Sequence, residues 1–258
     1  MCTMVVCKDF NSRQGRQDNG SISMYGSICA GAADFIFRIC GLTSRDCFLD
    51  IGSGLGQIVT QAAAWAGCRS LGVEVVRDRH QAAVRLYNMV KRETAGTALD
   101  VSALAQVRLI EGDFVDKWDE IKDCTVIYFN NKRGWFKAPD GDPTKAKYSY
   151  ECQLVSLLQQ LGRSVTMVTM EKMDPSPQGW THTEHIFGKP NGEKRVATFA
   201  AGSLNFHLYK RMRQLDYSIR ATRPGDRPEQ GARGAKIRPR PRPRFARSPS
   251  FHPILGLQ

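Results

Sequence analysis

The chain has 258 residues, 41% of them hydrophobic, and a formal net charge of +12. That length suits one domain of ordinary size plus a tail, and no apolar run reaches signal-peptide length near the start or the ~20 residues of a membrane span. Eight cysteines, none in a C-x-x-C pair, argue for reduced packing residues of an intracellular protein and against a zinc site or a disulfide frame.

Residues 1–20 turn polar and glycine-containing toward Asn11–Gly20 and read as a flexible lead-in. Ser23 to Ser27 carries a Tyr25-Gly26 corner, which fits an ordinary turn or a loop closing over a ligand. Ala32 to Ile39 then has apolar residues at helical spacing.

A short apolar run, Cys47-Phe48-Leu49, leads into Asp50-Ile51-Gly52-Ser53-Gly54-Leu55-Gly56-Gln57, and an Ala-rich apolar segment follows from Ile58 to Trp65. That order predicts strand, tight glycine turn and helix, in which backbone amides approach an adenosyl group closely. The strand Leu71 to Glu74 ends in an acid twenty residues beyond Gly54, the separation at which a carboxylate meets ribose hydroxyls. In dinucleotide sites a helix N-terminus receives a pyrophosphate. Asp50, two residues before the first glycine, would repel that group and attract an α-amino group. The pattern therefore favours S-adenosyl-L-methionine, which carries an ammonium and a sulfonium.

Arg77 to Glu93 fits one apolar helix face, with its Arg and Lys residues read as a solvated surface. The strand Val107–Ile110 ends in Glu111-Gly112-Asp113-Phe114. Asp113 suits the exocyclic amine of adenine and Phe114 one of its faces, beyond the carboxyl ends of the strands; by itself Asp113 fits a helix cap equally well. Thr125 to Phe129 is a buried central strand ending at Asn130-Asn131-Lys132-Arg133-Gly134-Trp135-Phe136, where catalytic groups are expected.

Lys137 to Tyr148 reads as a surface loop, Tyr150–Leu161 as an amphipathic helix and Ser164–Thr169 as a strand. An extended run from Gly179-Trp180 to Phe187, the Asn191-Gly192 turn signal and Ser203–Tyr209 predict a closing antiparallel hairpin. Ten basic residues against two acids between Arg220 and Arg247 leave +8 there and +4 for the rest of the chain. This Arg-Pro stretch is expected to be disordered.

Tyr25-Gly26, Leu49 to Gln57, Gly72-Val73-Glu74, Gly112-Asp113-Phe114 and Phe129-Asn130-Asn131, in this order, resemble the disruptor-of-telomeric-silencing family, the non-SET lysine methyltransferases of histone H3. The resemblance covers roughly residues 23–209. It implies an α/β class I methyltransferase fold, a mostly parallel, doubly wound seven-stranded sheet with a C-terminal antiparallel hairpin. The expected organisation is a lead-in over 1–20, a methyltransferase domain over 21–215 and a basic tail over 216–258.

Carried over, the resemblance places the cofactor among Tyr25, Gly26, Asp50, Gly52, Gly54, Gly56, Gln57, Glu74, Asp113, Phe114 and Asn130, with no metal. Asp50 holds the methionine amino group, Glu74 the ribose, and Asn130 lies beside the transferring methyl. Trp135 or Phe136, Trp180 and Phe206 are candidates for an apolar lysine channel. Ser27 and Lys132 depart from the family's usual acid and aromatic residue at those places, and 137–148 reads as an insertion.

The expected reaction is methyl transfer from S-adenosyl-L-methionine to a lysine of nucleosomal histone H3. A nuclear, monomeric protein is implied, with DNA met through the Arg-rich tail and no membrane partner. Two rivals stand beside it: a nucleic-acid amino-methyltransferase, disfavoured by the lack of proline after Asn130, and a non-catalytic cofactor-binding chromatin module.

Overall fold

In the computed structural model, the described residues are 26–95, 104–132, 149–173, 176–188, 197 and 202–211. They form one seven-stranded sheet flanked by helices, in the element order α1 (Ala30–Cys40), β1 (Cys47–Ile51), α2 (Gln57–Ala66), β2 (Arg69–Glu74), α3 (Arg77–Thr94), β3 (Val107–Glu111), α4 (Trp118–Ile121), β4 (Val126–Phe129), α5 (Tyr150–Gln159), β5 (Val165–Thr169), β6 (Thr181–Phe187) and β7 (Leu204–Arg211). The strand order is β3-β2-β1-β4-β5-β7-β6. β1 to β5 are parallel, while β7 pairs antiparallel with both β5 and β6. This is the expected class I methyltransferase sheet.

Alternation along the central strands divides the core into two layers, because successive strand side chains point to opposite faces. Phe48, Val126, Tyr128 and Val168 join Ile36 and Phe37 of α1 on one face. Leu49, Ile51, Ile127, Phe129 and Met167 join Leu154 and Leu158 of α5 on the other. Each such side chain contributes about 1.5–3 kcal/mol on burial. β1 and β4 are buried along their whole length, as strands covered on both faces must be.

Local chemistry sets the helix ends. α1 stops at Gly41, whose φ of 70° lets its N–H reach back to the Phe37 and Arg38 carbonyls. α5 starts where the Ser149 side chain accepts from the Cys152 amide at 3.1 Å.

Between β1 and β4 the strand order turns from one side of the sheet to the other, so their carboxyl ends open a crevice at a switch point. Asp50 and Asn130 stand at the ends of these two strands. Among the described residues, no helix is long and apolar enough to cross a membrane.

Three sequence readings change with the structure. Arg79 of α3 is 5% exposed, so the basic face of that helix is not wholly solvated. β6 begins at Thr181 and not at Gly179, where a φ of 76° makes a turn. The short helix α4 carried no legible signal. The lead-in, Tyr25, Trp135, Phe136, the 137–148 loop, the Asn191-Gly192 turn and the Arg-rich tail lie outside the described residues.

Candidate active site

Gly52, Gly54 and Gly56 all take positive φ (75°, 54° and 69°), winding the chain from β1 into α2 within a few residues. The Gly52 and Ser53 amides both donate to the Val73 carbonyl, at 2.9 and 3.0 Å, pinning the turn onto the end of β2. Gly72 makes the close fit possible. A Cβ there would stand 2.7 Å from Ser53 Oγ and 2.8 Å from Val59 Cγ2.

Glu74 binds the turn from the other side. Its Oε2 accepts from the Gly54 amide at 2.8 Å and its Oε1 from the Val76 amide at 2.9 Å. Arg79 Nη1 lies 3.9 Å from Oε1, and both side chains are nearly inaccessible. A carboxylate offers about four lone-pair sites, so two amides leave acceptor capacity for a pair of hydroxyls. Sequence reasoning found Glu74 but missed Arg79, because a lone arginine in a basic helix carries no mark of burial.

Asp50 shares the strand face of Phe48 and Tyr128 and is 3% exposed. Burial first, and the neighbouring Glu74 charge second, push its carboxyl up to about 8. Tyr128, adjacent in register on β4, is raised well above the usual phenol range by burial and by Asp50. Its hydroxyl has no hydrogen-bond partner among the described residues. This buried, electronegative corner would be relieved by a cation such as an α-ammonium.

Asp113 lies at the same edge, just after β3, where the Gly112 amide donates to the Glu74 carbonyl at 3.0 Å. Asp113 Oδ1 accepts from the Val115 amide at 2.9 Å, and its Oδ2 from the Tyr150 hydroxyl at 2.7 Å. Asp113 is therefore a turn residue and not a helix cap, since the next helix begins at Trp118 with Lys117 at its N-cap, and its second oxygen meets an aromatic residue not foreseen from sequence. Phe114 is 5% exposed and meets the Tyr150 ring at 5.6 Å.

The two asparagines after β4 divide. Asn130 is half-buried, its Oδ1 accepting from the Lys132 amide at 3.3 Å. Asn131 is 0% exposed and saturated. Its Nδ2 donates to Glu151 Oε1 at 2.8 Å and to the Glu171 carbonyl at 3.1 Å. Its Oδ1 accepts from the Met170 and Glu171 amides at 3.0 and 2.8 Å. Asn131 thus clamps the ends of β4 and β5 to α5, while Asn130 stays partly exposed at the carboxyl end of β4.

Asp50, Gly52, Gly54, Gly56, Gln57, Glu74, Asp113, Phe114 and Asn130 all gather at the carboxyl end of the parallel strands, and Gly26 precedes α1. Phe206 and Trp180 are not brought together. Phe206 is 0% exposed in the core layer of α1, its ring centroid 6.0 Å from that of Phe35. Trp180 packs on the layer of α5. As placed, Phe206 supports the core instead of walling an open channel.

The family model described as histone methylation protein DOT1 matches residues 6–139. The chain is 34% identical over 119 residues to an H3 lysine-79 specific histone-lysine N-methyltransferase of Emericella nidulans, covering 45% of this chain and 23% of that protein. It is 37% identical over 184 residues to the enzyme of the same name from Candida glabrata, covering 62% of this chain and 27% of that protein. The chain thus spans about a quarter of the length of the curated relatives it matches. Among solved structures, TrmN from Thermus thermophilus is similar at 15% identity and a TM-score of 0.49, over 75% of this chain and 50% of that one. The fold assignment rests on the strand order alone.

Proposed function

This chain belongs to the DOT1 family of histone methylation proteins, and from that premise we propose that it moves a methyl group from S-adenosyl-L-methionine to a lysine of nucleosomal histone H3. The observation that carries the proposal is a pair of buried carboxylates at the switch point of the sheet: Glu74, bound to the glycine turn through the Gly54 amide, and Asp50, two residues before that turn on β1.

Those residues fit the cofactor. Asp50 would hold the α-ammonium, the glycine turn and Glu74 would hold the methionine and ribose parts, and Asp113 with Phe114 would hold the adenine. Asn130 would serve the reacting end, and Tyr25, Gly26 and Gln57 are proposed as further cofactor-binding residues. When bound, the cofactor supplies an electrophilic methyl on a sulfonium, which is already a good leaving group.

The chain's own task is then alignment, and holding reactants at near-attack distance lowers a barrier by roughly 7–11 kcal/mol. Trp180, with Trp135, is proposed to line the lysine approach, where desolvation disfavours the ammonium form of the incoming amine. The Arg-rich segment from Arg220 onward would meet nucleosomal DNA through its phosphates, with little sequence preference and strong salt dependence. The reading implies a nuclear protein acting as a monomer, organised as a lead-in over 1–20, a methyltransferase domain over 21–215 and a basic tail over 216–258.

The test is incubation of the chain with isotopically labelled S-adenosyl-L-methionine and reconstituted nucleosomes, followed by mass spectrometry of the histones. Label on a lysine of the globular part of H3 supports the proposal. Label on RNA or DNA supplied free in a parallel incubation, or on no substrate while the cofactor binds, would favour the nucleic-acid enzyme or the non-catalytic module.

A further inference from the structure

At the opposite, amino end of the sheet a second arrangement takes no part in the proposed reaction. Cys47 opens β1, Cys124 stands two residues before β4, and their Sγ atoms are 2.8 Å apart. Both are free thiols, 5% and 1% exposed. The backbone holds them there: the Thr125 amide donates to the Cys47 carbonyl at 2.8 Å, and the Cys47 amide to Thr125 Oγ1 at 3.1 Å. Thr125 Oγ1 in turn donates to Asp46 Oδ1 at 2.9 Å.

The two thiols are not equivalent. Arg69, the exposed first residue of β2, donates its Nε to Cys47 Sγ at 3.2 Å. Hydrogen bonding with Cys124, joined by the Arg69 hydrogen bond and charge, lowers the Cys47 thiol. The same contact, and burial, raise Cys124. Burial also raises Cys40 to about 12 and Cys68 to about 11, so among the described thiols these two are poorly disposed to ionise. The thiolate is the reactive species; the Arg69 bond favours it on Cys47, and the Cys124 sulfur lies in contact where it can resolve an oxidised Cys47.

We propose that Cys47 and Cys124 form a two-electron oxidation site that closes to a disulfide with hydrogen peroxide, Cys47 being the attacking sulfur and Cys124 the resolving one. Near-complete burial selects a small oxidant over bulky disulfides such as oxidised glutathione. In the first step the Cys47 thiolate attacks one peroxide oxygen, forming S–O and breaking O–O; the departing hydroxide takes up a proton to become water. In the second step Cys124 gives up its proton and attacks the Cys47 sulfur, forming S–S and breaking S–O, and a second water leaves. Two thiols lose two electrons and one peroxide becomes two waters. The bond ties together the amino ends of the two strands that carry Asp50 and Asn130 at their carboxyl ends.

The experiment treats the full chain with stoichiometric hydrogen peroxide, then maps its peptides without reduction. The expected result is loss of two hydrogens in mass and a Cys47–Cys124 linked peptide, reversed by dithiothreitol. Cys124→Ser should leave a sulfenic acid on Cys47 that dimedone captures once the oxidised chain is unfolded in its presence, while Cys47→Ser leaves Cys124 unlabelled. Arg69→Ala should slow closure several-fold without changing the peptide linked. Wild-type mapping stands even if a variant fails to fold. Linkage of other cysteines at an equal rate, unchanged free thiols, or dimedone capture on Cys124 in Cys47→Ser would overturn the proposal.

Discussion

The Gly54 amide donates to Glu74 Oε2 at 2.8 Å, joining two motifs twenty residues apart in the chain. The contact lets one carboxylate shape the glycine turn and present its remaining lone pairs along it. Glu74→Ala strands the Gly54 and Val76 amides and removes a buried carboxylate 3.9 Å from Arg79. Breaking a buried pair on one side costs about 3–5 kcal/mol. Urea unfolding should therefore show a loss of about 3 kcal/mol, and Glu74→Gln, which keeps an acceptor oxygen, should lose less.

Asp50 predicts a pH dependence with a definite sign. Its carboxyl is raised from 3.8 to about 8, so between those values the folded apo protein holds a proton that the unfolded chain has released. Stability from this group is present at low pH and falls as pH rises toward about 8. Ligand affinity runs the other way: an α-ammonium favours the ionised carboxylate, so S-adenosyl-L-methionine should bind more tightly as pH rises through this window. Below about 8, binding should release a proton. Calorimetry in buffers of different ionisation enthalpy measures that release, and Asp50→Asn should abolish it.

The adjacent asparagines should fail in different ways. Asn131→Ala removes four hydrogen bonds, two buried and two partly buried, and takes away the acceptor of the Met170 and Glu171 amides and one donor to the Glu151 carboxylate. Each unsatisfied buried group costs about 1–3 kcal/mol, so thermal unfolding should show severe destabilisation. Asn130→Ala should unfold almost as wild type while methyl transfer drops by about a hundredfold, the cost of misplacing a reacting group by an ångström.

Tyr150 joins Asp113 Oδ2 at 2.7 Å and contacts Phe114. Its hydroxyl is raised to about 12, chiefly by the bond to Asp113. Tyr150→Phe should weaken S-adenosylhomocysteine binding about three- to tenfold by freeing the Asp113 side chain, the usual yield of one hydrogen bond. Binding of free methionine, which does not reach Asp113, should be unchanged, and parallel titrations of the two ligands check this.

The sheet was legible because its signals are local and repeated: apolar runs at Cys47–Leu49 and Thr125–Phe129, glycines at 52, 54 and 56, and acids at strand ends. Roles within a motif were less so. Asn130 and Asn131 look alike in sequence, and only the meeting of β4, β5 and α5 makes one a clamp. Arg79 lies in a helix rich in exposed arginines, and its burial depends on where Glu74 comes to rest. Phe206 alternates like any strand residue; only its place in the sheet, opposite His185 of β6 and packed with α1, assigns it to the core layer opposite Trp180. The Tyr150–Asp113 bond spans 37 residues, and no local pattern announces it.

A calorimetric titration of S-adenosyl-L-methionine into the full chain, beside Asp50→Ala and Glu74→Ala shown to be folded by circular dichroism, tests the account most directly. Saturable one-to-one binding by the wild type, lost by tenfold or more (about 1.4 kcal/mol) in each variant, is the predicted result. Wild-type protein that takes up no cofactor, or variants that bind it unchanged, would contradict it.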